Sequence, residues 1–155
     1  MTHTRLVGLV AAFFAILFDQ VTKQLALASL SAVPLPVTGF LNLRVGLNEG
    51  VSFGLFAEFF SGHPLALAAI MSAIATALLV WLWRTPFRTE AMGLGAIVGG
   101  AFGNVADRLR LGAVVDFLDF HVGGHHWPAF NFADTAIVSG VALLVLSFGR
   151  ASAST

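Results

Sequence analysis

Long apolar runs alternate with short polar interruptions along this chain, and their lengths predict its elements. The first run, Leu6 to about Leu27, reads "LVGLVAAFFAILFDQVTKQLAL". Three others follow: Pro64 to Trp83, about Ala91 to Asp107, and about Phe132 to Phe148. A helix needs about 20 mostly apolar residues to cross a bilayer. The first two runs reach that length; the last two are shorter, which puts their polar ends at an interface. The expectation is an α-helical integral membrane protein with four transmembrane helices. Between the first two runs the period changes. Pro34, Pro36 and Gly39 stop a helix, and "FLNLRVGLNEGVSFGLF" alternates apolar and polar residues. This predicts a small β-sheet lying on the membrane, within about Ser29 to Glu58, with turn sites at Gly46 and at Asn48-Glu49-Gly50. Phe53, Phe56, Phe59 and Phe60 suit an interfacial position. The stretch Leu109–Asn131 reads as a long loop, and long loops often carry function.

Composition identifies the solvent. Of 155 residues, 57% are apolar and only 10% charged, with a mean hydropathy of +0.88. Soluble domains carry about 25% charged residues. A water-soluble fold of this length could not hide so much apolar surface, so lipid is the expected surrounding. One domain, residues 1–155, is expected. The formal net charge is zero, which gives no reason to expect nucleic acid as a partner. The absence of Cys removes disulfides, thiolate metal ligands and Cys nucleophiles. The first run has the outline of a signal peptide, with Arg5 before it and Ala26-Leu27-Ala28 after it. Asp19, Gln20 and Lys23 interrupt that outline. Asp19 and Lys23 stand four apart on one helix face, which fits a paired charge at a helix end. Arg5, Arg84, Arg88 and Arg150 share one side of a four-span topology, expected to be cytoplasmic. Lys23, Arg44, Arg108 and Arg110 fall on the other side and weaken that bias.

Acids are scarce here, yet Asp107, Asp116, Asp119 and Asp134 lie close together along the chain. The third run carries Gly95, Gly99 and Gly103 at four-residue spacing, which lets helices approach closely in lipid. Gly100, Asn104 and Arg108 form a second stripe. Polar groups at membrane depth face a protein interior or a watery cavity. A purely structural network also accounts for Asn104, Asp107 and Arg108. Asp116, in "GAVVDFLDF", and Asp134, in "FNFADTAI", fall at the same outer boundary. Asp134 also fits a plain N-cap, and Asp116 and Asp119 fit solvated loop acids. As a pair, two carboxylates in a poorly hydrated site share one proton, which supplies an acid and a base side by side. That is the equipment for aspartyl peptide hydrolysis, with no metal or cofactor. His121, His125 and His126 match no zinc spacing, and the glycines among them read as a mobile loop, so no metal is expected. A proton-coupled transporter and a non-catalytic helical scaffold are the alternatives. No inverted repeat between the halves supports the former.

Four pieces, in order, resemble the lipoprotein signal peptidases, the type II signal peptidases of bacteria. They are "FDQVTK" (Phe18–Lys23), "LNEGVSFGLF" (Leu47–Phe56), "GGAFGNVADRLRLGAVVDF" (Gly99–Phe117) and "WPAFNFADTAI" (Trp127–Ile137). The resemblance implies a bacterial inner-membrane aspartyl endopeptidase with both termini cytoplasmic. It would cut the signal peptide from a diacylglyceryl-modified prolipoprotein, on the amino side of the lipidated cysteine. The catalytic positions implied are Asp116 and Asp134. Those implied to line the substrate site are Asn48, Gly50, Asn104, Arg108, Asn131 and Ala133, with Asp19 and Lys23 as a supporting polar pair. The implied extracytoplasmic sheet is Ser29–Glu58, and Leu109–Trp127 would help cover the substrate. Partners implied are the prolipoprotein and membrane lipid, with a monomer as the working unit and no cofactor. Glu49 and Val51 depart from residues common in the family. The His121/His125/His126 stretch lies where relatives differ.

Overall fold

The computed structural model describes residues 2–50 and 63–152. Among the described residues the fold has four helices and a four-stranded antiparallel sheet. In chain order they are α1 (His3–Ser29), β1 (Leu35–Thr38), β2 (Leu41–Asn48), α2 (Pro64–Arg84), α3 (Arg88–Leu111), β3 (Val114–Val122), β4 (His125–His126) and α4 (Phe132–Ser152). The sheet order is β1-β2-β3-β4. Phe53, Phe56, Phe59 and Phe60, and Val51, lie outside the described residues.

Local chemistry sets the helix ends. Pro64 opens α2, where its missing N–H costs nothing. Thr85 precedes Pro86 and is extended, so α2 stops at Arg84. α3 closes on Gly112, which takes a left-handed φ of 75° and donates its N–H to the Arg108 carbonyl at 3.1 Å. The helices alternate in direction. Arg5 Nε donates to the Trp83 carbonyl at 3.1 Å, and Trp81 stacks on Phe148, so the start of α1 and the ends of α2 and α4 share one end of the bundle.

α3 is the axis, packed against α1, α2 and α4. Its two glycine stripes face different neighbours. A Cβ on Gly95 or Gly99 would land on the backbone carbonyls of Gly8 or Ala12 in α1. One on Gly100 would land on the Ala133 carbonyl in α4. The outer faces of the bundle are apolar: Phe13, Phe18 and Leu25 of α1, Leu65 and Ile74 of α2, and Val138 and Val145 of α4 are all exposed. The interior holds Asp19, Lys23, Asn104, Asp107 and Arg108. The charged cluster thus lies inside while large apolar side chains cover the outside, unlike a soluble domain.

Among the described residues two helices, α1 and α2, are long and apolar enough to cross a membrane. α4 carries a shorter apolar stretch, Phe132–Phe148. α3 contains Glu90, Asn104, Asp107 and Arg108, all buried, and Arg110, which is exposed.

Three expectations about the outer region are corrected. The hairpin turns between Thr38 and Leu41 and not at Gly46, while at Asn48-Glu49-Gly50 the strand ends and Asn48 Oδ1 accepts the Gly50 N–H. Gly46 lies inside β2, opposite Asp116, beside an irregularity in register. Residues 109–131 are not a loop: they hold the last turn of α3 and two strands, and β3 pairs along β2 from Phe120 to Val114. The sheet is therefore not confined to Ser29–Glu58. Finally, Gly123 and Gly124, at φ 58° and 83°, form a tight two-residue turn between β3 and β4. Two positive φ values in sequence match the right-handed twist of the flanking strands, which is why Gly-Gly closes a hairpin here.

Candidate active site

The site lies where the sheet meets the ends of α1 and α3 and the start of α4. Lys23 anchors it. Its ammonium is 1% exposed and has three partners: Asp19 Oδ2 at 2.9 Å, Asp107 Oδ2 at 2.8 Å and Asn104 Oδ1 at 2.8 Å. An ammonium has three donors and no acceptor, so all its bonding capacity is used. This contact also fixes the Asn104 amide. With Oδ1 turned to Lys23, Nδ2 points the other way and donates to Asp134 Oδ1 at 3.1 Å.

Asn131 joins the two candidate acids. Its Nδ2 donates to Asp116 Oδ1 at 2.6 Å, and its Oδ1 accepts the Asp134 backbone N–H at 3.0 Å. The second contact makes Asn131 the N-cap of α4 and puts Asp134 at its third residue, so the reading of Asp134 as the cap is corrected. Ala133, fully buried, donates its N–H to Asp19 Oδ1 at 2.9 Å. Two first-turn donors of α4 are thus satisfied by side chains from outside the helix. Asp134 is left at the helix N-terminus, where the backbone dipole favours negative charge.

Asp116 enters from β3. It is 4% exposed and accepts from Asn48 Nδ2 at 3.0 Å as well as from Asn131. Asn48 Oδ1 in turn accepts the Gly50 N–H at 3.0 Å, and the Arg108 guanidinium donates to the Gly50 carbonyl. Arg108 also donates to the Asn104 carbonyl at 3.2 Å. Burial raises the Asp116 pKa to about 6. The Asn48 and Asn131 bonds and the Lys23 charge oppose that rise, while the nearby Asp134 charge adds to it. A cavity of 320 Å³ opens beside the pair, lined by Trp127, Phe130, Asp134, Thr135, Val138 and Ser139.

Every residue singled out for the site from the sequence lies in or against this cluster: Asp19, Lys23, Asn48, Gly50, Asn104, Arg108, Asp116, Asn131, Ala133 and Asp134. Asp107 is bound into the Lys23 anchor and also accepts the Val115 N–H at 3.2 Å. Asp119 points elsewhere, to Asn42, Arg44 and His126. Burial pushes its carboxyl up, but the His126 and Asn42 bonds and the Arg44 charge outweigh burial and hold it below the usual range. Glu49 is exposed. The sequence reading missed Gln20 as a member. Its amide donates to Asp19 Oδ2, the Gly103 carbonyl and Asp107 Oδ1, at 3.0, 3.2 and 3.1 Å, and its carbonyl accepts from Arg110. Its signal was a third polar residue beside Asp19 and Lys23 inside an apolar run.

Fold and site together define a helical-bundle membrane protein with a paired-carboxylate centre at one end. Two solved structures titled as a bacterial membrane enzyme share the fold. One has a TM-score of 0.82 and 28% identity, covering 96% of this chain and 90% of the other. The second has a TM-score of 0.77 and 29% identity, covering 91% of each. The family model described as signal peptidase (SPase) II matches residues 11–150, and this chain belongs to that family. A lipoprotein signal peptidase of Beijerinckia indica is 40% identical over 146 residues, 92% of this chain and 87% of its own. One from Rhodopseudomonas palustris is 40% identical over 152 residues, 94% of this chain and 92% of its own. These relatives weigh against the transporter and scaffold readings.

Proposed function

We propose that this protein is a membrane-embedded aspartyl endopeptidase that removes the signal peptide from diacylglyceryl-modified prolipoproteins, cutting on the amino side of the lipidated cysteine. The observation that carries the chemistry is Asn131, one side chain gripping both Asp116 and the start of the Asp134 turn. Family membership supports the substrate.

The mechanism follows from the pair. Two neighbouring carboxylates hold one proton between them. The ionised member takes a proton from a water molecule, and the resulting hydroxide attacks the scissile carbonyl. The protonated member hydrogen-bonds that carbonyl oxygen and stabilises the tetrahedral intermediate. Proton transfer to the amine nitrogen then releases the two chains. Asn48 and Asn131 hold Asp116, Asn104 holds Asp134, and Arg108 ties Gly50 to the end of α3. The 320 Å³ cavity, with apolar walls and Asp134 at its edge, suits the apolar part of the substrate.

In this reading all four helices span the bilayer of the bacterial inner membrane as one domain of 155 residues. α3 crosses because α1, α2 and α4 shield its polar groups. The end bearing Arg5, Arg84 and Arg88 faces the cytoplasm with both termini, and the acids and sheet sit at the extracytoplasmic boundary. Two of the cations opposing that bias, Lys23 and Arg108, are buried and bonded inside the protein, so they do not act as loop charges. Both acids belong to one chain, which fits a monomer as the working unit.

The test is incubation of purified protein with a diacylated prolipoprotein. Asp116→Asn and Asp134→Asn should each lower cleavage on the order of 10³-fold or more, as loss of an acid or base combined with loss of nucleophile activation requires. Near-normal processing by either variant, properly inserted, would end the reading.

A further inference from the structure

We infer that the β3–β4 hairpin carries a divalent transition-metal site, built by His121 and His126 and separate from the acid pair. By spacing alone these residues match no zinc motif. The hairpin register brings them together: His121 pairs directly with His126 across the strands, and their ring centroids are 5.1 Å apart. A zinc ion about 2.0–2.1 Å from one nitrogen of each ring lies roughly 3.2 Å from each centroid, and a tetrahedral angle then sets the centroids about 5 Å apart. The two rings already stand at that separation.

Two further features prepare the site. His126 Nδ1 is 2.8 Å from Asp119 Oδ1. When Nδ1 donates to that carboxylate, the tautomer is fixed and the Nε2 lone pair is free to bind an ion, the usual support behind a metal-bound histidine. His121 Nε2 is buried and has no hydrogen-bond partner. A buried polar atom without a partner calls for a ligand. The Gly123-Gly124 turn holds the strands in this register. His125 pairs with Val122, one rung nearer the turn, and lines the same cavity without stacking against the His121–His126 pair, so it serves as the control. The site opens to a 620 Å³ cavity walled by Phe40, Phe120, Trp127 and Phe130, which gives an ion and its waters room to enter. Arg44 Nε, 3.3 Å from Asp119 Oδ2, is a competing positive charge on this carboxylate. Among the described residues no group of three His, Asp or Glu side chains is placed to hold an ion. Two imidazoles and water therefore complete the coordination, which makes binding reversible rather than structural. Trp127 follows β4 directly, and its N–H bonds the Phe120 carbonyl at 2.7 Å. An ion at the hairpin would thus stiffen the segment that leads to Asn131.

The test is zinc titration of the purified full-length protein without a polyhistidine tag, read by competition with a zinc-sensitive dye. Wild type should bind saturably with one zinc at this site. His121→Ala and His126→Ala should each weaken that binding at least tenfold, and Asp119→Asn by about 10–100-fold, as loss of the supporting carboxylate does elsewhere. His125→Ala and His63→Ala should bind as wild type. Melting curves without zinc identify any variant that has lost its fold, and His121→Gln or His126→Gln then replaces it. Copper(II) resonance spectra of the wild type should show two imidazole nitrogens. No saturable zinc in the wild type, undiminished binding in the His121/His126 double variant, or one nitrogen only would overturn the proposal.

Discussion

The two ends of α3 are packed by opposite means. From Gly93 to Gly100 the helix meets its neighbours backbone to backbone, with glycines against Gly8, Ala12, Ala133 and Gly140. Beside them Leu82, Leu94, Ile97 and Leu144 form the apolar core. From Gly103 to Arg108 the contacts are ionic and hydrogen-bonded, through Asp19, Lys23, Asn104 and Asp107. In lipid, apolar side chains gain little by leaving the solvent, so close approach of small residues supplies the attraction at the first end. At the second end the polar groups stand in for that close fit and also aim the two acids. One end holds the bundle together; the other holds chemistry in place.

Substitutions separate the roles. The largest effect belongs to Asp116→Asn or Asp134→Asn, which should remove cleavage on the order of 10³-fold while leaving the protein folded. Next is Lys23→Met. It leaves Asp19 and Asp107 buried without their common cation, a loss of about 3–5 kcal/mol, read as a lower melting temperature in detergent and poor accumulation in membranes. If Lys23→Met melts like wild type, the polar end is not a structural unit. Third is pH. Asp116 binds its proton more tightly folded than unfolded, so its contribution favours the fold below about pH 4 and is lost as pH rises to about 6. The wild type should therefore lose about 3 kcal/mol more than Asp116→Asn across that window, as followed by thermal melting. Smallest is Gly95→Ala, whose Cβ meets the Gly8 carbonyl. Forcing α1 and α3 apart should cost about 1–3 kcal/mol, and the folded fraction should keep its kcat/KM, because the acids lie at the far end. A drop in kcat/KM without a drop in stability would show that the two ends are not separable.

Much of this was legible in the residues. Long apolar runs marked the helices, and the four-residue glycine spacing marked which helix the others pack on. Asp19 and Lys23, four apart inside an apolar run, marked a charge pair, but it is buried within α1 rather than set at a helix end. The sheet was less legible. "VVDFLDFHV" alternates with a period of two, but its acids drew attention as chemistry, and a nine-residue strand was read as loop. The pairing of β2 with β3 joins segments some 70 residues apart, and nothing local signals it. Similarly, Gly123-Gly124 carries a turn signal that was read as mobility, which concealed the partnership of His121 with His126. Gln20 and Asn131 each leave a local trace, a third polar residue in an apolar run and an Asn before a helix, but their partners in other elements depend on how helices meet in space.

The bond from Ala133 to Asp19 joins the last helix to the first across 114 positions. A ribosome delivers α1 to the membrane long before it has made residue 133. Until then the Lys23 anchor can gather only Asp19, Asn104 and Asp107, Asp19 lacks the Ala133 N–H, and no second carboxylate stands opposite Asp116. In the proposed mechanism cleavage therefore waits for the chain's final helix, which brings Asp134 and closes the bond from Ala133 to Asp19.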